Sequence, residues 1–255
     1  GRITDKHGAP VTPTQRVRAG AHYLHLKPAS QEPAVSAEVK VIHEDEALLV
    51  LHKPAPLPMH EGGRFCRNTL QYFLNTALHP LLPRSIHRLD ANTTGVVVFA
   101  KTRHFARLVQ PQFERGEVEK VYLARVQGHP ADDVFACDAR VSADAGKLGA
   151  REITEDGQAA RTEFRVLGRE ADGTSLVEAR PLTGRTNQIR LHLRHLGHPI
   201  VGDAAYLAEG GIGDTQTLPV EAPPLCLHAW RLTLKHPLKG QTMIFEAAKP
   251  AWASL

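Results

Sequence analysis

Residues 85–102 read SIHRLDANTTGVVVFAKT, with His87, Arg88 and Asp90 immediately before the β-branched run Val96-Val97-Val98 and its continuation Phe99-Ala100. A carboxylate at the mouth of a buried strand is partly desolvated, and it stays ionised only with a cation or N–H donors beside it. Three further polar clusters stand at the edges of apolar runs. Lys120-Val121-Tyr122 puts a phenol on the strand face opposite Val121 and Leu123. RPLTGRTNQIRLH places Thr183-Gly184 ahead of Arg185, Gln188 and Arg190. Backbone donors and a guanidinium at a helix start suit an anion such as phosphate. LGHPIVGDAAY follows, a turn-rich stretch that ends at Tyr206. One carboxylate, one phenol and one buried arginine can together perform acid–base or nucleophilic chemistry. Plainer readings stand beside this one: an Arg-x-Asp pair that anchors a loop, a core tyrosine, an arginine that buries its stem, and turns that are only turns.

The elements that must position these residues are legible in the apolar spacing. Val96 to Ala100 is expected to be a strand buried on both faces, entered from the polar loop through Gly95. VKVIHEDEALLVLHKP gives two strands around the acidic turn His43 to Glu46. RNTLQYFLNTAL (67–78) has helical spacing with Asn68 as N-cap, and TRHFARLVQPQFERG (102–116) is a helix from a Thr cap that breaks near Pro111. KVYLARVQG is a strand, and RTEFRVLGRE with TSLVEARPL makes a hairpin around Asp172-Gly173. RTNQIRLHLRHLG (185–197) is helical by the period of Ile189, Leu193 and Leu196 and stops at Gly197, and PLCLHAWRLTLKHP is another strand. These elements imply an α+β fold with a large mixed, mostly antiparallel sheet flanked by helices. Residues 1–28 stand apart as a small basic β-rich piece, 29–38 have linker composition, and 39–255 form the main domain.

Composition narrows the class. The chain has 255 residues, 42% hydrophobic and 23% charged, with a net charge of +4, and it lacks an apolar stretch long enough to span a bilayer. GRITDKHGAPV lacks the charged-then-apolar pattern of a signal peptide, so a cytoplasmic protein is expected. Cys66, Cys137 and Cys226 are widely spaced and suggest neither a disulfide framework nor a zinc site. His192, His195 and His198, at i, i+3 and i+6, do not converge on one compact site, and H-E-x-x-H is absent, so no metal is expected. Neither G-x-G-x-x-G nor a Walker sequence occurs, so a nucleotide cofactor is not expected. The basic balance is compatible with a polyanionic partner without demonstrating one.

HRLDANTTGVVVFAKT resembles the catalytic motif of the RluA-type pseudouridine synthases, H-R-L-D-x-x-[TS]-[ST]-G before a strand. LVLHKPAPLPMHEGG, KVYLARVQG, LTGRTNQIRLHLRHLGHPIVGDAAY and LCLHAWRLTLKHP are similar to further family motifs, in the family's order, over roughly residues 40–240. Residues 1–28 resemble the second half of an S4-like RNA-binding domain. One position departs: the family usually reads G-R-T-H-Q-[IL]-R, and here Asn187 replaces the histidine, keeping a donor and an acceptor but carrying no charge.

The resemblance implies an enzyme that breaks the N-glycosidic bond of a uridine in RNA, turns the uracil, and rejoins it through C5. Asp90 is then the essential carboxylate, attacking sugar or base or abstracting a ribose proton. Arg190 is its partner, and Tyr122 stacks on uracil and handles the C5 proton. Arg88 fills the position that the flipped nucleotide leaves. His87, Thr94, Arg185 and Gln188 are the further expected RNA contacts. The implied partner is rRNA or tRNA, with no metal or organic cofactor implied; the chain itself is expected to be a monomer by default. Two rivals remain: a catalytically silent RNA-binding protein on the same fold, and a base-excising N-glycosidase.

Overall fold

The run from Thr94 to Ala100 is a central strand, as its β-branched content requires, and Gly95 to Ala100 are all buried. The computed structural model describes residues 3–25, 31–146, 149–215 and 217–254. They fall into two compact units, Gly1–Glu32 and Pro33–Leu255. In the first, strands β1 (Ile3–Asp5) and β2 (Tyr23–His25) pair antiparallel. Part of the expected linker, residues 29 and 30, lies outside the described residues.

The second unit is built on a ten-stranded sheet. Its elements in chain order are β3 (Lys40–Glu44), β4 (Leu48–Lys53), α1 (Leu70–Ala77), β5 (Arg84–Ser85), β6 (Thr94–Ala100), α2 (Arg103–Glu114), β7 (Glu119–Gln127), β8 (Val134–Cys137), β9 (Thr162–Arg169), β10 (Thr174–Pro181), α3 (Gln188–His195), β11 (Leu227–Lys235) and β12 (Thr242–Glu246). The strand order is β3-β4-β6-β11-β7-β10-β9-β8, with β12 also on β11 and β5 on β6. Among the described residues only β6 and β11 pair in parallel. This is the expected mixed, mostly antiparallel α+β sheet.

The β6–β11 seam depends on Gly95. Its φ is +115°, and a Cβ there would sit 2.1 Å from the Ala229 carbonyl oxygen. Only glycine allows the two backbones to close at this point. On one face of β4 and β6, Leu70 and Leu74 of α1 pack with Leu49, Leu51, Val97 and Phe99. On the other, Ala106 and Val109 of α2 pack with Val50, Val96 and Val98. Helix α3 sets Ile189 and Leu193 against Ala124, Phe164 and Val177 of the β7–β10–β9 part of the sheet. Alternate residues of β6 thus meet different helices, which is why the run is apolar without interruption.

Three helix boundaries differ from expectation. The N-cap of α1 is Thr69, whose side chain accepts from the Tyr72 amide, while Asn68 donates to the Pro33 carbonyl at 2.8 Å. Helix α2 runs through Pro111 to Glu114. The buried Gln112 both donates to and accepts from the backbone of Lys235 at 2.9 Å, which holds the last turn against β11. Helix α3 begins at Gln188 rather than 185, because Asn187 has φ 59° and a left-handed residue cannot continue a right-handed helix. The β9–β10 hairpin turns at Gly173 (φ +82°), with Asp172 accepting from the Thr174 amide and hydroxyl. No described helix is long and apolar enough to cross a membrane.

Candidate active site

Asp90 sits where two cavities meet. The larger, a cleft of about 530 Å³, has Arg88, Asp90, Tyr122, Arg185, Ile189 and Leu227 among its walls. The smaller, about 320 Å³, is bounded by Met59, His60 and Phe65 on its far side. Arg88, Leu89, Asp90, Thr186, Asn187 and Arg190 border both. The larger volume is that of an ordinary small-molecule site and would admit a nucleoside.

The loop that carries Asp90 is tied down from behind. The Thr93 amide donates to the Asp90 carbonyl, the Leu57 amide to the Ala91 carbonyl, and the Leu218 amide to Asn92 Oδ1. Lys53, at the end of β4, is fully buried, and its Nζ donates to the carbonyls of Pro54, Leu57 and Ala91 at 2.9, 2.9 and 3.0 Å. Burial pulls its ammonium down to about 7, and the Asp90 charge opposes that shift. Three carbonyl acceptors match the three N–H bonds of the protonated form, so the geometry sides with Asp90 in keeping the charge.

Arg190 meets Asp90, with Nη1 at 3.3 Å from Oδ2, but Asp90 is not its principal partner. Its Nε and Nη2 donate to the two oxygens of Asp203 at 2.8 and 2.7 Å. The same Asp203 oxygen Oδ1 accepts from the amides of Ala205 and Tyr206. The expectation of an Asp90–Arg190 pair is therefore corrected to a triad in which Asp203 takes the guanidinium fork and Asp90 a single longer contact. Burial disfavours the Arg190 charge, but Asp203 first and Asp90 next outweigh it, so the proton is held more tightly than in water. The Tyr206 ring lies under the guanidinium, 4.8 Å from centroid to Cζ.

Tyr122, on β7, is half-buried and borders the cleft. Burial, and then the Asp90 charge, push its phenol above the usual tyrosine range. It therefore meets a substrate as a neutral ring with its O–H in place. Arg88 is exposed at the rim of both cavities. Lys120 donates to the Thr183 carbonyl at 3.3 Å and adds a further cation to the cleft wall.

The remaining expected RNA contacts divide. Arg185 is exposed on the cleft, with Nε donating to the Ala159 carbonyl. Gln188 borders the cleft, but its amide is engaged within the protein. Oε1 accepts from the Thr183 hydroxyl and the Arg185 amide, and Nε2 donates to Arg161 and Thr162. It shapes the 183–188 turn. His87 also borders the cleft, yet its Nε2 accepts from the Val98 amide and its ring stacks on Phe113 at 4.8 Å. Burial lowers its imidazole to about 3, so the ring is neutral at working pH. Thr94 is not on the cleft wall, which Thr93 occupies instead. The Thr94 hydroxyl is 2.7 Å from Nδ1 of His228, across the β6–β11 seam.

The residues that sequence reasoning passed over are Asp203, Asn187 as a contact of Arg190, and Lys53. In sequence GHPIVGDAAY reads as a turn-rich stretch ending at Tyr206, and its single carboxylate is the signal for Asp203. His192, whose ring nitrogens meet the Thr162 hydroxyl and the Ala139 carbonyl, ties α3 to its surroundings.

Comparison with known proteins gives the family. Residues 47–195 match the family described as RNA pseudouridylate synthase. The dual-specificity RNA pseudouridine synthase RluA of Escherichia coli O6:H1 is 35% identical over 208 residues, which cover 81% of this chain and 91% of that protein. Human pseudouridylate synthase RPUSD2 is 38% identical over 181 residues, covering 69% of this chain but 32% of that longer protein. The structure of human RNA pseudouridylate synthase domain containing 1 superposes with a TM-score of 0.67 at 26% identity, covering 86% of this chain and 87% of that one. The chain belongs to the RluA-type family of RNA pseudouridine synthases.

Proposed function

We propose that this chain converts uridine to pseudouridine in structured rRNA or tRNA with Asp90 as the reacting carboxylate. The observation that carries the assignment is the position of Asp90 at the meeting point of the two cavities. Its carboxylate is 24% exposed, while the arginine beside it is 2% exposed. A substrate can therefore reach the carboxylate far more readily than the guanidinium beside it. Tyr122, Ile189 and Leu227 offer uracil an aromatic and apolar lining, and Arg185 and Lys120 offer cations to its phosphates.

The reaction breaks N1–C1′ and forms C5–C1′; the C5 proton leaves to solvent and N1 gains one. Asp90 either bonds covalently to the sugar or base or removes a ribose proton, and both routes require the carboxylate ionised. Arg190, held by Asp203, supplies the countercharge without blocking the approach. The neutral Tyr122 ring stacks on the base, and its O–H takes part in proton transfer at C5 directly or through water. Arg88, at the rim, occupies the gap that the extruded nucleotide leaves. Residues 1–28 serve as an S4-like RNA-binding segment, and the enzyme works as a cytoplasmic monomer.

The test uses RNA labelled with tritium at uracil C5, which the rearrangement releases. Asp90→Asn is expected to abolish release while RNA binding persists. Activity within about tenfold of wild type, roughly 1.4 kcal/mol, would remove Asp90 from the mechanism. Release of free uracil by the wild-type protein would instead identify an N-glycosidase.

A further inference from the structure

We propose that Asn187 is a positioning residue that aims Arg190 at Asp90, and that its amide keeps this contact independent of pH. The proposal rests on the assignment of Asp90 above. Asn187 is buried, borders both cavities and is the only described non-glycine residue with positive φ, at 59°. Asparagine tolerates that left-handed conformation better than most residues. The conformation turns its side chain back onto the network. Oδ1 accepts from Arg190 Nη1 at 3.0 Å, and Nδ2 donates to the Tyr206 hydroxyl at 2.8 Å. Tyr206 also accepts from the Arg151 amide at 2.8 Å, so both sides of its oxygen are taken.

This network determines which way the amide points. With the amide turned over, an NH2 would face the guanidinium, donor against donor. The side chain at 187 must therefore present a lone pair to Arg190 and an N–H to Tyr206 at once. Arg190 Nη1 is the nitrogen that also reaches Asp90, and Asp203 holds only Nε and Nη2. Asn187 is thus the second anchor of the one nitrogen directed at the reacting carboxylate. A neutral imidazole could satisfy the same two contacts. Once protonated, it would replace the lone pair by a second N–H and add a positive charge beside Arg190. An amide has no such state.

The charged and titratable groups that converge on this point come from several segments. The 87–93 loop brings Arg88 and Asp90, α3 brings Arg190 and Arg194, and the following turn brings Asp203 and Tyr206. Arg151 reaches it only through its backbone, Lys53 sits behind Asp90, and His60 and Glu61 border the smaller cavity. None of these differs between the variants proposed next.

Two variants of the full chain test the inference by steady-state tritium release from RNA between pH 4.5 and 8.5, with melting curves to confirm folding. Asn187→Gly keeps the left-handed backbone without strain and removes only the amide. It should lose kcat by about tenfold or more with KM nearly unchanged, since an interaction made in the transition state is removed. Asn187→His should approach wild type at pH 8. It should fall by a further roughly tenfold, relative to wild type at the same pH, only as the solution drops well below the ordinary imidazole range near 6.5, because burial and the Arg190 charge disfavour the protonated ring. A pH profile for Asn187→His parallel to wild type would overturn the proposal. So would Asn187→Gly acting through KM alone. If Asp90→Asn proves active, the assignment of Asp90 fails, a separate outcome from either of these.

Discussion

Replacing Asp203 by Asn leaves the shape of the turn almost untouched and removes one charge from a dry place. The Asp203 and Arg190 side chains are each 2% exposed, so their pairing is in the buried regime. The Arg190–Asp90 contact is longer and has one partner 24% exposed, which leaves it partly screened and weaker. Removing one member of a buried pair costs about 3–5 kcal/mol, because the survivor stays desolvated without its countercharge. For a unit of this size about 1 kcal/mol moves Tm by roughly 2–4 °C, so Asp203→Asn should melt about 6–20 °C lower. The amide oxygen still accepts from the amides of Ala205 and Tyr206, so the loss reports the charge rather than the turn. Combining Asp203→Asn with Arg190→Met removes the stranded guanidinium and fills its volume. The double variant should melt above Asp203→Asn alone while remaining inactive in tritium release. Melting followed by circular dichroism decides the matter. A drop below about 2 °C, or a double variant no more stable than the single, refutes the reading of Asp203 as the partner that keeps Arg190 charged.

Tyr122→Phe should retain more activity than Tyr122→Leu, since a ring keeps the roughly 1–3 kcal/mol of base stacking that Leu gives up; equal losses in the release assay would assign the role to the hydroxyl. Arg88→Ala should impair activity on folded RNA more than on a short unstructured substrate, where an extruded nucleotide leaves less to compensate; equal loss on both would make Arg88 a phosphate contact. Gly95→Ala should prevent the β6–β11 pairing, because the new methyl meets the Ala229 carbonyl at 2.1 Å; a folded, active protein with an unchanged melting curve would contradict the close approach described above.

The parts of the site that sequence made legible are those whose residue type and strand position agree. Asp90, Tyr122 and Arg190 lie at the ends of strongly patterned runs, and they do border the cleft, together with Arg88 and Arg185. Thr94 illustrates the limit of pattern reading. In a strand entry, one step of register decides which of two adjacent threonines faces the cavity, and Thr93 and Thr94 are chemically the same. Gln188 and His87 border the cleft as expected, but hydrogen bonds within the protein occupy the Gln188 amide and Nε2 of His87, and no local pattern discloses that. The choice of Asp203 over Asp90 as the main partner of Arg190 depends on a turn that places both its oxygens opposite the guanidinium. Propensity alone predicts a break at Pro111, whereas the Gln112–Lys235 contacts hold the last turn and carry α2 on to Glu114.

The parallel pairing of β6 with β11 also constrains the order in which the enzyme can be made. Thr94 and its seam partner His228 are 134 residues apart, and β6 already has β4 along its other edge. During synthesis β4 and β6 can pair early with α1 and α2, and β5 takes the Phe99–Ala100 end of the other edge, but the Thr94–Gly95 end of β6 stays unpaired until β11 has emerged. Gly95 has no backbone to close against before then, and Arg190 and Asp203 are themselves synthesised about a hundred residues after Asp90. The residue assigned to the chemistry is thus among the first parts of the domain to be translated and among the last to acquire its surroundings. Such distant closure is slow, and it leaves the entry of an apolar strand exposed in the meantime. A nascent chain that stalls before β11 therefore carries the signature motif in full and cannot use it.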